Sequence, residues 1–266
     1  MQEDPARMLH TVIHGDPGGA PPLLIAHGLF GSARNWGVLA RRLSDDRQVL
    51  AVDMRNHGAS PRSPRHGYEE MAGDLAEVIA AHGGRADVLG HSMGGKAAMV
   101  LALTRPGLVG SLVVADIAPA AYTHTQLPLV RAMRGLDLSV VATRRDADAA
   151  LAGEVPDPAV RAFLLQSLEL KGDRPRWLLN LDALEAEMPR IMGFPGIEAR
   201  FGGPALFLSG GASDYVGAEH ADLIRGLFPR AEQATIPDAG HWLHAEAPRE
   251  FETALRAFLD RAVTGP

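Results

Sequence analysis

The sequence predicts an α/β fold: a doubly wound, mostly parallel sheet with a helical cap inserted after strand six. Three observations carry that expectation. Short apolar runs recur, each closing on Gly, Asp or His. Amphipathic segments lie between them. The alternation breaks once, between about residues 119 and 201, where the pattern turns mostly helical. Alternating strand and helix is the pattern of a parallel sheet covered on both faces.

The runs are LLIAHG (23–28), VLAVD (49–53), ADVLGHS (86–92), SLVVAD (111–116) and ALFLSGG (205–211). Their near-continuous apolarity fits strands buried on both sides. MLHTVIHG (8–15) alternates instead and fits an antiparallel edge strand; QATIPDAG (233–240) closes the series. NWGVLARRL (35–43) repeats at helical spacing. A second helix runs from Glu69 to His82, with Met71, Leu75, Val78 and Ile79 on one face and a stop at Gly83-Gly84. A third spans Gly94 to Thr104 and ends before Arg105-Pro106.

Inside 119–201, Thr143 with Asp146 three residues on makes a capping-box-like start. Asp157 before Pro158 is an N-cap followed by proline at the first helical position. LDALEAEMPRIM is a further amphipathic stretch. PALFLSGG then resumes the strand pattern. Residues 1–118 and 202–266 therefore read as one core domain. Residues 119–201 read as a dependent cap over the C-terminal strand edge, where open α/β sheets bind ligands. Its Leu, Met and Phe residues are expected to line an apolar pocket.

Composition narrows the function classes. The 266 residues hold 46% apolar and 22% charged side chains, with a net charge of −6 and no cysteine. Disulfides, thiolate nucleophiles and cysteine metal sites are excluded. Without a long basic run, a nucleic-acid or anionic-membrane partner is disfavoured on electrostatic grounds. MQEDPARMLH carries acids where a signal peptide would begin with basic residues, and no apolar run approaches the ~18 residues of a spanning helix. The chain reads as a soluble cytoplasmic protein, a monomer or homodimer, acting on a small molecule.

Residues 90–94, GHSMG, match G-x-S-x-G between a buried strand and a helix, the setting that motif requires. Gly90 and Gly94 permit a tight turn that lifts the Ser92 hydroxyl above the sheet edge. The following helix aims its N-terminal amides at the same place. The bland alternative is a Gly-rich structural turn. A serine needs a base. His241, in GHWLHAEAP after the last strand, stands where this fold supplies one. His244 is the rival; the two form H-x-x-H, but no third ligand is placed for a metal, and His244 reads as structural. HGLFGS (27–32) occupies the loop that offers one amide to an oxyanion. Leu29 is favoured for it, with Phe30 as alternative, and Met93 supplies the second amide.

HGLFGS, DMRNHGAS, GHSMGGK, VVADIAP and GHWLHAE occur in order across nearly the whole chain. Together they resemble the α/β-hydrolase-fold serine esterases, and most closely the small bacterial YbfF-like group. The resemblance implies hydrolysis of carboxylic esters or thioesters of modest size without a cofactor. It also implies a scaffold role for DMRNHGAS. Lys96, in GHSMGGK, reads as a solvated or salt-bridged helix residue, with a substrate role as its rival.

The triad acid has three contenders. In many such enzymes it follows the seventh strand as G-x-x-D-x-x-V. Laid on GGASDYV (210–216), that register puts the slot on Ser213 and leaves Asp214 one residue late. Asp116 ends the neighbouring strand behind an apolar run, where a carboxylate is costly to bury unless a donor such as histidine Nδ1–H pairs with it. The resemblance at VVADIAP implies Asp116. Asp214 and Asp238 remain as alternatives.

The leading expectation is an esterase with Ser92 as nucleophile, His241 as base and Asp116 as acid. A perhydrolase or carbon–carbon-bond hydrolase would keep the same triad. A dehalogenase or epoxide hydrolase is disfavoured because its nucleophile would be Asp. A non-catalytic binding module on the same fold is the rival from another class.

Overall fold

The computed structural model describes residues 8–172 and 174–264. Four parallel neighbours form the centre of the sheet: β2 (Leu23–Ala26), β3 (Val49–Val52), β4 (Ala86–His91) and β5 (Val109–Ala115). The edge strand β1 (Thr11–His14) pairs antiparallel with β3, as its alternation predicts. Three helices lie between these strands: α1 (Gly37–Leu43), α2 (Tyr68–Ala81) and α3 (Met93–Thr104). Each boundary agrees with its sequence signal to within about a turn.

Residues 119–201 then leave the sheet. They form α4 (Leu127–Gly135), α5 (Arg144–Leu151) and α6 (Pro158–Leu164), a two-stranded pair β6 (Leu168–Glu169) and β7 (Arg176–Trp177), and α7 (Leu181–Met192). The chain returns as β8 (Ala205–Gly210), α8 (Ala221–Leu227), β9 (Ala231–Ile236), α9 (Leu243–Glu246) and α10 (Pro248–Thr264). The expected position of the insertion after strand six is corrected. It follows the fifth strand of a seven-stranded sheet, because only five strand-forming runs precede it among the described residues. The small β6–β7 pair was not anticipated; two-residue strands leave no periodicity to read.

Spatial order is β1-β3-β2-β4-β5-β8-β9. The chain winds outward from β2 to β3, then crosses back to β4 and proceeds the other way. The topological switch point therefore lies between β2 and β4, where such sheets leave a crevice at their C-terminal ends. Ala26 pairs with Gly90, so the loop after β2 and the turn after β4 meet at that crevice.

Alternate residues of each strand feed opposite layers. Leu23, Ile25, Val113 and Ala115 pack with Trp36, Phe251, Leu255 and Phe258 under α1 and α10. Leu24, Ala26, Leu112 and Val114 pack with α2, α3 and the inserted helices. Each fully buried Leu or Phe contributes roughly 1.5–3 kcal/mol. The predicted caps form in the insertion. Thr143 Oγ1 accepts from Asp146 N at 3.2 Å while Asp146 Oδ2 accepts from Thr143 N at 2.8 Å. Asp157 Oδ1 accepts from Ala159 N at 2.8 Å. Among the described residues, no helix is long and apolar enough to cross a membrane.

Candidate active site

Ser92 stands between β4 and α3 with φ 52° and ψ −120°, a left-handed conformation that L-residues rarely hold. The surrounding glycines make it possible. A Cβ on Gly90 would lie 2.3 Å from Gly94 O, and one on Gly94 would lie 2.3 Å from Ala26 O. The strand–turn–helix packing therefore closes only with glycine at both positions, and the Ser92 hydroxyl faces the crevice.

Ser92 Oγ lies 3.0 Å from His241 Nε2, and His241 Nδ1 lies 2.8 Å from Asp116 Oδ2. Asp116 is fully buried and itself left-handed, with φ 53°. Its carboxylate has two further donors: Gly210 N reaches Oδ1 at 2.9 Å, and the Ser213 hydroxyl donates to Oδ2. The register argument thus has a physical counterpart. The residue in the usual acid slot, Ser213, is a serine that hydrogen-bonds the carboxylate arriving from the adjacent strand. Asp214 is exposed and makes no hydrogen bond or ion pair with any described residue; Asp238 is likewise exposed.

His241 is held on two sides. His91 Nε2–H donates to the His241 carbonyl at 2.8 Å. The Tyr215 ring stacks on the His241 ring with centroids 3.9 Å apart. His244 is packed flat on Trp36 at 4.2 Å, beside His91. Burial, reinforced by the neighbouring imidazoles, pulls His91 well below the ordinary histidine value and His244 down to about 4. Among the described residues no cluster of His, Asp and Glu is arranged to hold a metal ion.

In the loop after β2, Leu29 and Phe30 differ in their hydrogen bonding. Phe30, with φ 65°, gives its N–H to His57 Nε2 at 3.1 Å. The amides of Leu29 and Met93 have no acceptor among the described residues and remain available at the crevice. His57 can accept because its Nδ1–H donates to Arg55 O at 2.8 Å. His27 repeats the arrangement: Nδ1–H donates to Gly28 O at 2.8 Å and Nε2 accepts from Met54 N at 2.9 Å. Only a neutral imidazole does both. Burial accordingly lowers the pKa of both. His66 Nε2 contacts Met93 Sδ at 3.3 Å, and its Nδ1 accepts from Asn56 Nδ2 at 3.1 Å; burial pulls it down to about 3.

DMRNHGAS thus braces the crevice from behind. Asp53 accepts from Ala33 N at 2.8 Å and Ala59 N at 2.9 Å. Asn56 also meets the insertion: Asn180 N donates to Asn56 O at 2.9 Å, and Asn180 Nδ2 to Asn56 Oδ1 at 2.9 Å. Ser167 Oγ donates to Phe30 O at 3.0 Å. Sequence reasoning missed these ties, although His27 and His57 both follow strand ends beside a glycine.

A cavity of about 290 Å³ opens over Ser92 and His241. Leu129, Phe163, Leu164, Ile191 and Met192 of the insertion wall it, as the apolar content of 119–201 predicts. Lys96 corrects the sequence reading. It is neither solvated nor salt-bridged: it is 1% exposed, lines this cavity and has no carboxylate within 4 Å among the described residues. All of α3 from Met93 to Leu103 is buried, so no solvent face exists for it.

The fold and the crevice define a class. Residues 23–254 match the model of the alpha/beta hydrolase family, and the chain belongs to that family. It is 41% identical to the sn-1-specific diacylglycerol lipase ABHD11 of Mus musculus, covering 96% of this chain and 86% of that one. Identity to esterase YbfF of Escherichia coli (strain K12) is 39%, covering 90% and 93%. A solved marine microorganism esterase superposes with a TM-score of 0.90 at 39% identity, covering 94% of this chain and 99% of that one. With these relatives, the chain is a serine ester hydrolase.

Proposed function

We propose that the protein hydrolyses carboxylic esters of small to medium acyl groups through an acyl-enzyme on Ser92. The observation that carries this reading is the unbroken chain from Ser92 Oγ through His241 to Asp116. As the Ser92 oxygen attacks the acyl carbon, its proton passes to His241 Nε2. Asp116 accepts from Nδ1–H, fixes the tautomer and stabilises the imidazolium. The Leu29 and Met93 amides take the negative oxygen, helped by the positive end of α3. Collapse expels the alcohol, which leaves with the proton from His241. Water then gives a proton to His241 and attacks the acyl carbon, and collapse returns the proton to Ser92 and frees the acid.

Residues 119–201 serve in this reading as the cap, and residues 1–118 with 202–266 as the catalytic core. The apolar wall from the cap favours acyl chains and keeps bulk water from the intermediate. The relatives' names mention an ester in one case and a diacylglycerol in another; the reading takes only the shared element, the carboxylic ester bond. Thioesters fit the same chemistry.

A fluorophosphonate probe tests it. Wild type is expected to label stoichiometrically and Ser92→Ala not at all. No labelling of wild type, or equal labelling of both, would sink the reading.

A further inference from the structure

We propose that Lys96 forms an anion subsite in the acyl pocket, so that the preferred substrates are esters whose acyl chain ends in a carboxylate. The inference rests on the esterase reading above and names its substrate class.

The geometry is that of a cation placed inside an apolar cavity. Lys96 lies one helical turn beyond Ser92 on α3, with its amide donating to Ser92 O at 3.0 Å. Both side chains line the same cavity. The ammonium donates to Met192 O at 3.2 Å and Gly193 O at 2.6 Å, the carbonyl end of α7. It lies 4.7 Å from the Tyr122 ring centroid and 5.7 Å from that of Tyr68. Two of its three protons are thus taken by carbonyls, and the third has no acceptor among the described residues.

A simple pin for the end of α7 accounts for the two carbonyl bonds. It does not account for an amine placed in a substrate cavity without a counter-ion, where its charge is costly. Desolvation lowers the Lys96 pKa to about 7. The phenols that face it stay neutral, since burial raises Tyr122 to about 12 and Tyr68 above its usual value. The Tyr122 hydroxyl is committed, donating to Tyr215 O at 2.7 Å and accepting from Ala118 N at 2.9 Å. A substrate carboxylate would supply the missing negative charge and restore the protonated amine, giving a charge-assisted hydrogen bond inside a dry wall.

The test compares chain-matched ethyl esters by proton release: monoethyl succinate, glutarate and adipate against ethyl butyrate, valerate and hexanoate. Wild type is expected to favour the acid-ended ester at one or more lengths by about tenfold or more in kcat/KM. In Lys96→Met that ratio falls to one or below, whatever happens to the neutral rate. A wild-type ratio of one or less at all three lengths overturns the proposal, as does a ratio unchanged in Lys96→Met. Turnover of neither series overturns the esterase reading as well, which separates the two failures. A second measurement needs no variant. Free glutarate or adipate should inhibit wild type more strongly than valerate or hexanoate, and the advantage should shrink between pH 6 and pH 8.5 as Lys96 loses its proton. Equal inhibition at both pH values contradicts the subsite.

Discussion

Ser92 sits between two groups of histidines that do opposite work. On one side His241 is partly open to the cavity and paired to the Asp116 carboxylate. On the other, His27, His57 and His66 are buried behind the loop after β2, and their partners are backbone groups, Asn56 and Met93. In the proposed mechanism the same side chain is a proton carrier where it has a carboxylate and access. It is a fixed neutral strut where it has neither. Burial and partner, not residue type, separate the two roles.

The contrast breaks most visibly on the catalytic side. Ser92→Ala and His241→Ala should each lower kcat by about 10³-fold or more on a p-nitrophenyl ester, with the thermal midpoint changed little. A variant that retained a tenth of the rate would remove its residue from the mechanism.

The strut side predicts a smaller loss of another kind. His57→Phe deprives the Phe30 amide of its acceptor and loosens the loop that presents Leu29. The expected loss is roughly 10–10²-fold in kcat with KM nearly constant, less than the ~10²–10³ of losing an oxyanion donor outright. His57→Gln, whose amide oxygen accepts as Nε2 does, should recover part of it. A change confined to KM would argue that the loop binds substrate and does not serve the transition state.

His66 among the struts, and His244 beside His91, also make the fold sensitive to acid. In the unfolded chain a histidine takes up a proton near 6.5, whereas His66 holds out to about 3 and His244 to about 4. Between those values the unfolded state binds more protons. Stability is therefore fully present above pH 6.5 and is lost as pH falls, at about 1.4 kcal/mol per pH unit for each such histidine. In urea titrations between pH 4.5 and 6, His66→Gln should flatten the slope by about that amount. An unchanged slope would mean that His66 is charged in the native state.

A smaller loss belongs to Ser213. Its hydroxyl shares Asp116 Oδ2 with His241, and Gly210 N still serves Oδ1 when it is gone. Ser213→Ala should cost a few-fold in kcat, matching the ~0.5–1.5 kcal/mol of one hydrogen bond. A loss as large as that of the nucleophile would place Ser213 among the catalytic groups.

Much of this was legible in the sequence because it is local. Gly90 and Gly94 around Ser92, the apolar run behind Asp116 and the caps at Thr143 and Asp157 each signal their geometry within a few residues. The cross-chain ties were not. That Asn180 grips Asn56, or that His57 holds Phe30, depends on how distant loops meet. Lys96 was misread for a different reason. A lysine suggests solvent, yet its helix GGKAAMVLALT is apolar all round, the pattern of a helix buried on every face. The insertion point shifts because five strands, not six, precede residue 119 among the described residues.

The acid remains the sharpest test, because the two aspartates differ so completely in surroundings. The kcat/KM of Asp116→Asn and Asp214→Asn on one ester, measured side by side against wild type, decides it. The expected result is a loss of about 10³–10⁴-fold for Asp116→Asn and activity within twofold of wild type for Asp214→Asn. A near-normal Asp116→Asn beside a crippled Asp214→Asn would contradict the account.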